Sequence, residues 1–309
     1  YQTMLAKAAA TSSGGGSSIV DTDLYINYDF SDTDCWNRNN SANAADYTVH
    51  NLANDYNDAL FRSRTGTSDA YRDASDSPCI DFNSSDGGGC LEIIPSNISS
   101  DSDIFSLVIP GSYSGSTSSW ATYNITTVSG TDTNNLFNGV GTGAFTIELW
   151  SKVYLDHSVN SLATNYFVSA DDVVSTTSSS YSNSFFTPDY SFSSYQNKMR
   201  FTYGSWGSKF LDISGAPSSG AAWSNWNHFV YSRNSDATND TKIYLNNSLE
   251  ETVTDVENLD YLRYAYLDHP WLAVHAGKRI GIFRFYRGKA LTSSEVTTNW
   301  NAQKSRFGH

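Results

Sequence analysis

The chain has 309 residues, a formal net charge of −13, and only 17% charged against 14% aromatic residues. Nineteen Lys and Arg stand among thirty-two acids, which excludes a nucleic-acid binder, because that work needs a basic stripe to displace counterions. No apolar run approaches the roughly eighteen residues that span a bilayer, so membrane insertion is not expected, and the wealth of Tyr, Ser, Thr and Asn fits an extracellular β-protein.

Residues 1–20 read as an arm and linker. Tyr1, Met4 and Leu5 make its start mildly apolar, and Thr11 to Ser18 is a Ser/Gly coil. Such a segment cannot bury its side chains locally, so it is either disordered or docked on a neighbour's groove or sheet edge. The stretch lacks the basic and long apolar regions of a signal peptide, so any secretion signal is expected to be gone or never to have existed.

Leu24, Ile26, Tyr28 and Phe30 alternate with Tyr25, Asn27 and Asp29, the pattern of a half-buried strand. From Ser31 to Pro78 the chain is mostly polar, with loops and one or two short strands around Val49–Leu52 and Ala59–Phe61. Further strands are expected over Leu91–Ile94 and Phe105–Ile109. Residues 111–140 read as an insertion carrying Trp120 and Tyr123, since long loops in compact domains usually serve function or assembly.

Ala144–Val153 alternates cleanly, with Phe145, Ile147, Leu149 and Val153 inward. A second insertion spans 158–195, after which Lys198–Tyr203 and Lys209–Ile213 resume a meander. Thr241–Leu249 forms a hairpin turning at Asn246-Asn247, residues that tolerate positive φ. Ile280–Arg287 is apolar on both faces and is expected to be central. Thr292 followed by Glu295 has capping-box spacing, predicting a short helix that lowers Trp300 onto the sheet. About twelve strands and one helix, with no internal repeat, predict an all-β jelly roll of two antiparallel sheets over 21–309.

The closing strand, arginine-rich turn and helix resemble the C-terminal pattern of laminin-G-like domains in the concanavalin A-like lectin/glucanase superfamily, a kind common in phage tail and secreted bacterial proteins. Leu24–Phe30 resembles the family's first strand. Asn51–Leu60 resembles its Leu-Ser-Gly-Asn loop without the glycine, and Cys79–Asn83 an altered Phe-Asp-Gly strand end. Trp226–Arg233 and Lys242–Asn247 resemble its Trp/His strand and the hairpin after it. The resemblance implies a lectin-like sandwich.

Glucanases of that superfamily set Glu, Asp and Glu at near-alternate positions of one strand. Glu251–Glu257 has the wrong spacing and Glu148 stands alone, so no catalytic residue and no enzyme is expected. Calcium is the one cofactor considered, because hard cations take loop oxygens; Asp21 and Asp23 with Asp81 and Asp86 are the candidate ligands, the alternative being solvated acidic loops. For sugar, the candidates are the loop aromatics Trp120, Tyr203, Trp206 and Trp223, which can stack on pyranose rings or be buried against insertions. Trp150, Trp226 and Trp300 are expected between the sheets.

Cys79 and Cys90 flank a glycine-rich connection and could close a disulfide adding roughly 2–3 kcal/mol in the chain-entropy model. The alternatives are three thiols, or a bridge from Cys35 to either. Six sequons, at Asn39, Asn83, Asn97, Asn124, Asn239 and Asn246, license glycans where the source has the machinery. The expected function is a non-enzymatic structural or adhesive subunit of an extracellular assembly, a virion appendage or surface filament, in which the N-terminal arm joins identical copies. The alternative is a glycan-binding lectin domain, with or without calcium, and a remote one is a glucanase-like hydrolase.

Overall fold

The computed structural model describes residues 18–36, 48–54, 58–63, 70–73, 79–82, 89–93, 140–153, 168–171, 183–189, 198–202, 225–256, 258–259, 264–267 and 278–309. Within them lie fifteen strands and one helix. Every described strand pairing is antiparallel.

One sheet has eight strands, in the order β13 (Ser248–Val253), β12 (Thr241–Leu245), β11 (Asn227–Arg233), β7 (Phe145–Val153), β15 (Lys278–Arg287), β5 (Cys79–Phe82) and β4 (Ala70–Asp73), with β1 (Leu24–Asp29) also on β15. The other has seven: β10 (Lys198–Thr202), β9 (Asn183–Asp189), β8 (Val168–Asp171), β14 (Tyr264–Leu267), β6 (Gly89–Ile93), β3 (Ala59–Ser63) and β2 (Thr48–Val49). The result is the all-β sandwich that the alternation predicts. The stretch 158–195, expected to be an insertion, contributes β8 and β9 to the second sheet; its serine content hides the strand pattern. The insertion expected at 111–140, save its last residue, and the strands at 105–109 and 209–213 lie outside the described residues.

β15 is central, as its two apolar faces imply. β7 pairs along its whole length. On its other edge β5 takes Lys278, Arg279 and Ile280, while β1 takes Ile282 through Tyr286. Gly281 sits at the join, where the β7 register shifts, and its carbonyl accepts from Phe30 N at 3.1 Å. Only glycine fits, because a Cβ there would lie 2.5 Å from the Phe307 ring.

The register sorts the central side chains into two faces, since neighbours in sequence point oppositely. Phe229, Leu149, Phe283 and Tyr28 form a row across four strands, and Tyr231, Ile147, Phe285 and Ile26 form the next. All eight are buried, on the face away from the closing helix.

The opposite face carries Val230, Glu148, Arg284 and Asn27, then His228, Trp150, Ile282 and Asp29. Helix α1 (Ser293–Gln303) and the residues after it cover that face. The helix starts with the expected capping box: Glu295 N donates to Thr292 Oγ1 at 3.3 Å and Thr292 N donates to Glu295 Oε2 at 2.9 Å. Trp150, Trp226 and Trp300 therefore pack between this sheet and the C-terminal segment, not between the two sheets as expected. Trp150 stacks on Phe307 at 4.3 Å, His228 at 4.8 Å and Trp300 at 5.1 Å.

The β12–β13 turn has Asn246 at φ 50° and Asn247 at φ 69°, the left-handed pair a two-residue hairpin needs. Cys79 is a buried thiol on β5, whereas Cys90 lies on β6 of the other sheet. The expected Cys79–Cys90 bridge is not formed: the strands that carry the two cysteines belong to different sheets. Cys35 is likewise a buried thiol.

Candidate functional site

The described polar residues converge most densely on Glu148. β7 places its side chain on the helix-covered face, and it is fully buried. Oε1 accepts from His228 Nε2 at 2.9 Å and Arg284 Nη1 at 3.2 Å, while Oε2 accepts from Asn299 Nδ2 at 2.7 Å. β11, β15 and α1 thus each send one donor to a single carboxylate.

Burial pushes the Glu148 carboxyl up, but Arg284, His228 and Asn299 outweigh it and hold the group below the usual carboxylate value. Arg284 donates further to Asn27 Oδ1. Asn299 also donates to the Tyr286 hydroxyl, which donates to Val20 O, and Asn299 Oδ1 accepts from Val20 N at 2.8 Å. Burial pushes Tyr286 well up, so it acts as a neutral hydroxyl. One buried ion pair therefore ties the N-terminal approach, three strands and the closing helix together.

Two further charge pairs complete this frame. Arg306 donates to Asp29 Oδ1 at 2.6 Å and to Gly281 O, fixing the chain end beside the β15 bulge. Burial raises the Asp29 carboxyl, but Arg306, Arg284 and Ser31 outweigh it and hold it low. On the other face buried Arg233 donates to Asp255 Oδ2, Gly141 O and Gly143 O, with its guanidinium 4.7 Å from the Phe145 ring centre.

A fourth cluster fixes the edge of β1. Asn51 Oδ1 accepts from Asn27 N and Ala53 N, and its amide donates to Tyr25 O and Asn54 Oδ1. Asp58 accepts from Asn51 N and pairs with His50 Nδ1 at 2.9 Å. The Asn51–Asn54 stretch picked out by resemblance is thus the clamp on the first strand.

None of these arrangements has the makings of glycosidase chemistry, which needs two carboxyls flanking a substrate. Glu148 is shut off from solvent and committed to three donors; Glu257 lies outside the described residues. Asp21 and Asp23 are exposed. Asp21 O closes the turn to Leu24 N, and Asp23, at φ 60°, offers its carbonyl to Arg287 N. Asp81 sits on β5; Asp86 lies outside the described residues, among which no group of three or more His, Cys, Asp or Glu is poised for a metal.

Trp120, Tyr203, Trp206 and Trp223 lie outside the described residues, as do Tyr1, Met4 and Leu5. So do the sequon asparagines Asn39, Asn83, Asn97 and Asn124. Asn239 is exposed and Asn246 half-buried. Sequence reading left Glu148 isolated and singled out none of its partners. The Arg284, Asn299 and Val20 partners were invisible, being 136, 151 and 279 positions from their acceptors or donors.

No protein-family model matches the chain, and no characterised protein matches it in sequence. Solved structures share its build. A Trypanosoma rangeli sialidase in complex with sialic acid superposes at TM-score 0.52 and 12% identity, over 95% of this chain and 35% of that one. Domain 4 of AbnA, a GH43 extracellular arabinanase from Geobacillus stearothermophilus, in complex with arabinotriose, superposes at 0.50 and 12% identity, over 90% of this chain and 98% of that one. The binding domain of Botulinum neurotoxin DC, in complex with rat synaptotagmin II, superposes at 0.51 and 13% identity, over 91% and 52%.

The chain spans about a third of the sialidase's length. At these identities the likeness is one of fold: the chain is an all-β protein of two antiparallel sheets. No helix among the described residues is long and apolar enough to cross a membrane.

Proposed function

We propose that this chain is a non-catalytic, glycan-binding jelly roll of the laminin-G-like kind, acting as an adhesive subunit of an extracellular assembly on a virion or cell surface. The observation that carries the reading is the near end-to-end superposition on an arabinanase domain solved with arabinotriose. The burial of Glu148 supports the non-catalytic part, because the carboxylate is used to close the fold. Trp120, Tyr203, Trp206 and Trp223 are our candidates for stacking on sugar rings.

A glycan array that includes arabinan oligosaccharides and sialosides, read with and without chelator, tests this. We expect binding that falls at least about tenfold in Trp206→Ala or Trp223→Ala, a loss of about 1.4 kcal/mol, without release of reducing sugar. Absence of binding to any glycan, or hydrolysis of one, overturns the reading. Loss of binding in chelator assigns calcium to the site.

The assembly role is favoured by the anchoring of Val20 on Asn299 and Tyr286, which fixes where an N-terminal arm leaves the sandwich. Light scattering on the full chain and on a chain lacking residues 1–17 tests it. An oligomer unchanged by the truncation removes the arm's role, and a monomeric full chain removes the assembly.

A further inference from the structure

Two of the six sequons have asparagines among the described residues, and their surroundings differ. Asn239-Asp240-Thr241 lies at the turn from β11 into β12. Asn239 is exposed, its φ is 58° and its backbone N–H donates to Thr254 Oγ1 at 2.9 Å. Among the described residues its side-chain amide makes no hydrogen bond. The turn itself is tied down: Asp240 accepts from Asn234 Nδ2 and Ser235 Oγ, and Asp240 O accepts from Asn234 N. An asparagine with an uncommitted amide is thereby presented to solvent on an ordered turn.

The third sequon residue adds an independent observation. Thr241 opens β12 between Arg233 of β11 and Val253 of β13. It is fully buried, and its hydroxyl has no hydrogen-bond partner. A buried hydroxyl left unpaired destabilises a fold and calls for an explanation. Valine has nearly the same shape and lacks the hydroxyl, so packing alone favours valine here. What the hydroxyl supplies is the recognition element of an Asn-X-Thr acceptor.

Asn246-Asn247-Ser248 is the opposite case. Asn246 Oδ1 accepts from His228 N at 2.9 Å and Asn246 Nδ2 donates to Asn227 Oδ1 at 3.0 Å, so both ends of the amide hold the β12–β13 turn against β11. A glycan on Nδ2 would take one of its two hydrogens and set a sugar ring against the half-buried side chain that holds this turn on β11.

We propose that Asn239 is an N-glycan acceptor and that Asn246 is not. In the transfer, Asn239 Nδ2 attacks the anomeric carbon of a polyprenyl-diphosphate-linked oligosaccharide. The N–C bond forms as the bond from carbon to the diphosphate oxygen breaks, polyprenyl diphosphate leaves, and the amide proton passes to a base of the transferase. Because Thr241 is inaccessible once β12 has paired, the transfer precedes closure of the hairpin. Chains modified at Asn246 must seat a sugar against β11 where the side chain is half-buried and bonded at both ends, and are disfavoured in the folded population.

The test expresses the full chain behind a secretion leader in a eukaryotic host and maps glycopeptides of the folded protein by mass spectrometry, before and after amidase treatment. We expect Asn239 to be occupied and converted to aspartate by the amidase, Asn246 to be unmodified, and Asn239→Gln to lose that glycan alone. A second measurement uses unglycosylated protein from a host without the machinery: Thr241→Val should raise the unfolding midpoint by about 2 °C. An unmodified Asn239, an occupied Asn246 in folded protein, or a Thr241→Val midpoint that fails to rise overturns the proposal.

Discussion

Replacing Glu148 by glutamine tests the frame most directly. The change keeps the side chain's shape and removes one charge. Three donors, from His228, Arg284 and Asn299, now converge on the carboxylate at 2.7–3.2 Å. Glutamine offers one carbonyl oxygen in place of two carboxylate oxygens, and its amide nitrogen must face a donor. Arg284, 1% exposed, is left as a buried cation without its counter-ion.

Removing one partner of a buried pair costs about 3–5 kcal/mol, a fifth or more of the roughly 5–15 kcal/mol that holds a typical domain folded. Urea denaturation of Glu148→Gln should therefore show a much lower midpoint at an unchanged slope. The double variant Glu148→Leu with Arg284→Leu removes both charges and should lose less than Glu148→Gln by itself. A loss below about 1 kcal/mol in Glu148→Gln, or a double variant that loses the sum of the singles, refutes the assignment of this pair as the centre of the fold.

Two further outcomes follow from the same frame. Glu148 and Asp29 are both held below the usual carboxylate range when folded, so the unfolded chain binds more protons and stability rises with pH across that window. The contribution is complete above about pH 4.3 and is lost as pH falls through the folded values. Acid titration of the unfolding midpoint should show this limb, and it should be shallower in Glu148→Gln; an equally steep limb in the variant contradicts the assignment. Gly281→Ala drives a methyl into the Phe307 ring and should cost about 1–3 kcal/mol, with loss of the near-ultraviolet dichroism of the Trp150, Trp226 and Trp300 cluster. An unaltered spectrum would show that the C-terminal segment does not need the close approach.

Much of the eight-stranded sheet was legible in the chain itself. Phe145–Val153, Ile280–Arg287 and Thr241–Leu249 announce themselves through alternation and turn chemistry, which depend on neighbours two to four residues away. The Thr292–Glu295 cap is equally local, and it formed as expected. β8 and β9 escaped notice because neither alternates: β8 is four residues long, and β9 sets Phe185 beside Phe186 and carries Pro188, within a serine-rich stretch.

The role of Glu148 was not legible. Alternation put it on the face opposite Ile147 and Leu149, where a lone glutamate reads as solvent-facing. Only the tertiary structure lays α1 over that face and brings Arg284, His228 and Asn299 to it. The same holds for Trp150, whose burial was foreseen but whose partners Phe307 and Trp300 come from the covering segment. It holds too for Cys79 and Cys90, near in sequence and placed on different sheets. Local periodicity and turn residues determined which elements exist, because those preferences act over a few residues. The pairing of buried charges was decided by which strands and helix the fold stacks together, since desolvation and Coulomb attraction act through space and leave no trace in spacing along the chain.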